Sequence, residues 1–91
     1  MNGLEITHIE MFKVDGVNGL IAWVRIELNN CLNLGYMRLI ELQLGKFKLE
    51  YPKHPMLKYG IHIYRPANSE FNEYLLDAVV KKYEAINDKG I

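Results

Sequence analysis

Hydrophobic and polar positions alternate through much of the first fifty residues and then switch to helical spacing, so the chain reads as strands followed by one helix. Residues 4–14, LEITHIEMFKV, have strand composition with two mixed faces: Ile6, His8, Glu10 and Phe12 on one, Thr7, Ile9, Met11 and Lys13 on the other. The pattern leaves open which of them is buried. VDGVNG follows, with Asp15-Gly16 and Asn18-Gly19 supplying glycines that reach the positive φ a hairpin connection wants. Residues 20–28 alternate more cleanly, which predicts Ala22, Val24, Ile26 and Leu28 toward the core and Ile21, Trp23, Arg25 and Glu27 away from it. Asn29-Asn30 marks a second turn. From Cys31 to Leu44 the residues Leu32, Leu34, Tyr36, Leu39, Ile40 and Leu42 hold no single period, and a bulge or bend near Gly35 is expected.

Leu44-Gly45-Lys46 reads as a short turn, after which Phe47, Leu49 and Tyr51 alternate with Lys46, Lys48 and Glu50 as a half-buried strand. Pro52 and Pro55 cannot donate to a ladder and open a loop through about Gly60; Ile61–Tyr64 is then a candidate for one last short strand. Beyond Pro66, Asn68 or Ser69 can cap a helix that has Glu70 and Glu73 in its first turns and runs to about Asp88, with Gly90 ending it. Phe71, Leu75, Ala78, Val79 and Ile86, joined by Tyr74 or Tyr83, form the stripe that packs on the sheet. The expected fold is α+β: a small, mostly antiparallel twisted sheet of four to five strands with one C-terminal helix packed on it, all within a single domain over residues 1–91.

Composition narrows the function. A chain of 91 residues has a modest core, which self-association would complete. Eleven Lys and Arg balance eleven Asp and Glu, so any contact with a polyanion must come from local clustering. Cys31 is the single cysteine, excluding an internal disulfide, and is expected to be a partly buried, inert thiol. With no apolar leader and no long apolar run, the expected location is the cytoplasm, away from the membrane. His8, His54 and His62 lack zinc-ligand spacing, and the turn glycines lack the helix and Lys-Ser/Thr of a phosphate cradle, so no cofactor, metal or catalytic role is expected.

Local clustering does occur. Within residues 46–65 the cations Lys46, Lys48, Lys53, Lys58 and Arg65 are opposed only by Glu50. Lys46 and Lys48 share one side of their strand, and a loop folded back beside them would extend a patch able to meet phosphates. The competing reading is a set of solvated charges that keep a sheet edge from aggregating. Tyr59, His62 and Tyr64 interleave with these cations and could stack on bases, although such rings also line sheet rims and dimer interfaces. Lys81 and Lys82 read as a solvated helix flank, with Asp77 placed to pair with Lys81.

Taken in order, EITHIEMFKV, YMRLIEL, Pro52, Arg65-Pro66, Asn68-Ser69 and DAVVKKYEAI make residues 4 to about 86 resemble the stage V sporulation protein G family of bacterial septation regulators. The resemblance implies a non-enzymatic regulatory protein that binds DNA, in some members RNA, and assembles as a dimer or a larger set of dimers. Lys46, Lys48, Lys53, His54, Lys58 and Arg65 are the candidate nucleic-acid contacts. Two departures stand out: Lys53-His54-Pro55 has one firm positive charge where the family has two, and neutral Asn72 and Tyr74 fill helix positions where it is often basic. The alternative is an interaction module that keeps the fold and has lost nucleic-acid binding.

Overall fold

The protein's structure, a computed structural model, describes residues 3–16, 18–43, 45–56 and 60–89. Four strands, β1 (Ile6–Lys13), β2 (Leu20–Leu28), β3 (Leu32–Gln43) and β4 (Lys46–Glu50), pair antiparallel in chain order, and one helix, α1 (Ser69–Lys89), packs on the sheet. Neighbours in sequence are neighbours in the sheet, each strand running back beside the one before it. In the β2–β3 turn both Asn29 and Asn30 take positive φ, near 53° and 55°, and the Cys31 amide donates to the Leu28 carbonyl at 3.0 Å. Asparagine tolerates that conformation better than most residues that carry a Cβ.

One face of the sheet meets the helix. Ala22, Val24, Ile26 and Leu28 are all buried as the alternation predicts, and they pack with Met37, Leu39, Leu49, Tyr51, Leu75 and Val79. The ambiguous β1 turns Ile9 and Met11 inward. Lys13 shares that face because it ends the strand: its ammonium reaches the Asn87 side chain and sits 5.6 Å from the centre of the Tyr83 ring. Asn68 is the cap, accepting from the Phe71 amide at 2.8 Å, a contact worth about 1 kcal/mol. Phe47 meets Tyr83 edge-on at 6.0 Å, and the Tyr74 hydroxyl accepts from the Ile6 amide at 3.1 Å.

The expected irregularity in β3 is present. The β2–β3 register slips between the pairs Val24–Met37 and Ile26–Leu34, and the positive φ falls on Tyr36, at 41°, rather than on Gly35. Two expectations need correction. Ile61–Tyr64 forms no strand; a lone bridge joins Lys53 to His62, with His54 N donating to Ile61 O at 2.8 Å and Ile63 N to Pro52 O at 2.7 Å. Prolines at 52, 55 and 66 leave too few consecutive donors there for a ladder. Cys31, expected to be partly buried, is exposed, because it sits at the end of the Asn29-Asn30 turn. The helix stop at Gly90 lies outside the described residues. Among those residues no helix is long and apolar enough to cross a membrane.

The loop that follows β4 is fastened by two tyrosines. Tyr51 donates to Asn72 Oδ1 at 2.7 Å, Tyr64 donates to the Gly35 carbonyl at 2.6 Å, and their rings meet edge-on at 6.1 Å. Burial pushes the Tyr51 hydroxyl up to about 12, with the neighbouring Tyr64 adding to the rise, and burial alone takes Tyr64 to about 12. The folded state therefore holds these protons more tightly than the unfolded chain, whose tyrosines titrate near 10. Their contribution is complete below pH 10 and is lost as pH climbs through 12. Denaturant melts at stepped pH should show stability falling across that window. Tyr64→Phe should flatten the fall, and an identical fall in that variant would remove Tyr64 from the account.

Candidate nucleic-acid interface

Opposite the helix, the sheet presents a second face composed by the same alternation. Register sets Phe12 of β1 beside Trp23 of β2, Trp23 beside Arg38 of β3, and Arg38 beside Glu50 of β4, so one row crosses all four strands. Below it Glu10 pairs with Arg25, and these two side chains form an ion pair. Ile40 of β3 lies opposite Lys48 of β4 in the neighbouring row. This face keeps its large side chains partly in solvent: Trp23 is 36% exposed, Phe12 47% and Tyr36 52%.

Glu50, the one acidic residue set against the basic segment, has its charge engaged. Its carboxylate is ion-paired with Arg38 and stands 3.8 Å from Lys48 Nζ. Among the described residues, Lys46 and Lys53 form no ion pair, and both are exposed. A cleft of about 270 Å³ opens where the loop leaves β4, walled by Trp23, Tyr36, Tyr51 and Pro52, with Arg38, Glu50 and Lys53 in its lining.

The candidate contacts are thus only partly brought together. Lys48 and Lys53 flank Glu50 at this end of the sheet, and Lys46 follows on the same side of β4. His54 is exposed beyond Lys53, its Nδ1 accepting from the Met56 amide at 3.1 Å. Arg65 sits elsewhere, lining a cleft with His62, Pro66 and the start of α1. Lys58 and Tyr59 lie outside the described residues. Tyr64 has a structural role, its hydroxyl committed to Gly35. Lys81 and Asp77 pair at 3.1 Å on an exposed helix flank, as their spacing predicts. Among the described residues no group of three or more His, Cys, Asp or Glu side chains is placed to hold a metal ion.

Sequence reasoning missed Trp23, Tyr36 and Arg38 as members of this surface. The alternation in β2 already turned Trp23 away from the core, which was the available signal. What it lacked was the register that sets Trp23 against Arg38, and the bulge that exposes Tyr36.

Among the described residues, an antiparallel sheet with a helix on its inner face and cations and exposed aromatic rings on its outer face defines a small α+β protein. No family model matches the chain. Among curated proteins it is 30% identical over 83 residues to a relative in Borreliella burgdorferi, spanning 88% of this chain and 86% of that one. A relative in Borrelia hermsii is 29% identical over 91 residues, covering 97% and 95%. One in Caldicellulosiruptor saccharolyticus is 27% identical over 88 residues, covering 96% and 99%. All three carry the name SpoVG and a description as septation proteins. The chain belongs to the SpoVG septation-protein family.

Proposed function

We propose that this chain is a bacterial regulator of the septation and sporulation type that binds nucleic acid, DNA or RNA, through the basic end of its outer sheet face. The observation that carries the reading is the placement of Lys48 and Lys53 beside Glu50, whose negative charge Arg38 already engages, with Lys46 farther along the same side of β4. The surface therefore offers a polyanion cations with little opposing charge. Family membership supports the regulatory part of the reading. Contacts of this kind are to phosphates, so they confer affinity with little sequence preference and weaken steeply with salt.

Replacing Lys48 and Lys53 together with Ala is expected to weaken binding to labelled DNA and RNA probes irrespective of sequence. The salt dependence should become shallower by roughly one unit of log-log slope for each contact removed. Equal affinity and slope in parent and variant would sink the phosphate role of these lysines. Absence of binding by the parent at low salt would favour an interaction module instead, for which the exposed Met56, Ile61 and Ile63 of the loop would supply apolar contact.

A further inference from the structure

The cleft beside Trp23 combines features that a phosphate site would not. Three of its walls are flat or apolar, from Trp23, Tyr36 and Pro52, and a carboxylate, Glu50, stands in its lining. Arg38 engages that carboxylate, so what sets the cleft apart is its flat, apolar walls, which a phosphate could not use and an uncharged ring could. Its volume, about 270 Å³, lies just below the ~300 to 1,000 Å³ of pockets for drug-sized ligands and suits one flat ring. Arg38 and Lys53 share the lining with Glu50, and Lys48 Nζ stands 3.8 Å from the Glu50 carboxylate. Along the row from the cleft the next aromatic side chain is Phe12, opposite Trp23 across the β1–β2 pair.

We propose that this face binds single-stranded nucleic acid, with one unpaired base stacked in the cleft against Trp23 and Tyr36 and the flanking phosphates held by Lys48 and Lys53. The inference rests on the nucleic-acid reading above and narrows it to strands whose bases are free. In a duplex the bases are already stacked on one another and their ring faces cannot enter a cleft, so the aromatic walls contribute nothing to duplex binding. A second copy of the chain is the rival occupant. Charge argues against it, because a polyanion complements Lys46, Lys48 and Lys53 and an identical face repeats them.

Trp23 is the chain's only tryptophan, so its fluorescence reports on this cleft alone. Titration at low salt with ten-nucleotide single-stranded DNA and RNA should quench the emission, while a duplex of the same sequence should leave it nearly unchanged. Trp23→Leu should weaken single-strand binding by roughly 5- to 150-fold, the range for loss of one stacked base, with duplex affinity unaltered; Trp23→Phe should restore part of the loss. Tyr36→Asn provides a variant on exposed ground, since asparagine tolerates the positive φ there, and it should also weaken single-strand binding while the protein stays folded.

Single-strand affinity that ignores Trp23→Leu and Tyr36→Asn, yet still depends on Lys48 and Lys53, would overturn the stacking inference and leave the proposed function standing. Failure of the parent to bind any probe would end both. A blue shift of Trp23 emission on concentrating the protein alone, with a doubled mass in sedimentation, would assign the face to a second copy and overturn the inference.

Discussion

Leu75→Ala is expected to lower the stability of the fold by about 2 to 5 kcal/mol, the range for removing a buried leucine and leaving its space unfilled. Leu75 is 1% exposed and, with fully buried Val79 one turn on, forms the centre of the face that α1 lays on the sheet. In a chain of this size each kcal/mol moves the melting midpoint by roughly 4 to 8 °C, so the variant should melt at least ~8 °C lower. Thermal and denaturant unfolding followed by far-ultraviolet circular dichroism would measure it. A midpoint within a degree or two of the parent would mean that α1 does not depend on this face for its docking.

Gly19→Ala should also be costly, on the order of 2 kcal/mol or more. Gly19 has φ near 83°, and a Cβ there would lie 2.7 Å from the Glu41 carbonyl oxygen, which is backbone and cannot rotate aside. The Gly19 carbonyl accepts from the Glu41 amide at 2.9 Å, so displacing the turn also loosens a tie between the first hairpin and β3. Gly45→Ala is the matched control: φ is near 78°, yet a Cβ would meet nothing within 4 Å. It should cost only the conformational strain, about 1 kcal/mol. The difference between the variants isolates the close approach to Glu41, and equal losses would show that contact to be unimportant.

The inner face of the sheet was legible in the sequence wherever alternation was regular. Ala22 to Leu28 announced its buried side because every second residue is apolar, and Asn68, Glu70 and Leu75 announced the helix start and its packing stripe. The faces of β1 were not legible, because Lys13 occupies an inward position that only the arrival of Tyr83 and Asn87 makes tolerable. Ile61–Tyr64 alternated like a strand, but Tyr64 turns its hydroxyl to the bulge carbonyl of Gly35, a tertiary contact that local pattern does not encode. The basic segment was visible as composition. Its geometry was not, because the partners of Lys48 and Lys53 in forming a surface come from β2 and β3, and register alone brings Trp23, Arg38 and Glu50 into one row.

The chain-order meander also bears on how the fold assembles. Each strand pairs with the one just made, so the sheet closes only short loops as it grows, and such local pairings are the quick ones. The helix is different: Tyr74 meets Ile6, and Asn87 meets Lys13, across almost the whole chain. Its docking is expected to be the late event, because the surface that receives it exists only once the strands have paired. The loss in Leu75→Ala should accordingly be seen mainly as faster unfolding, with the folding rate little changed.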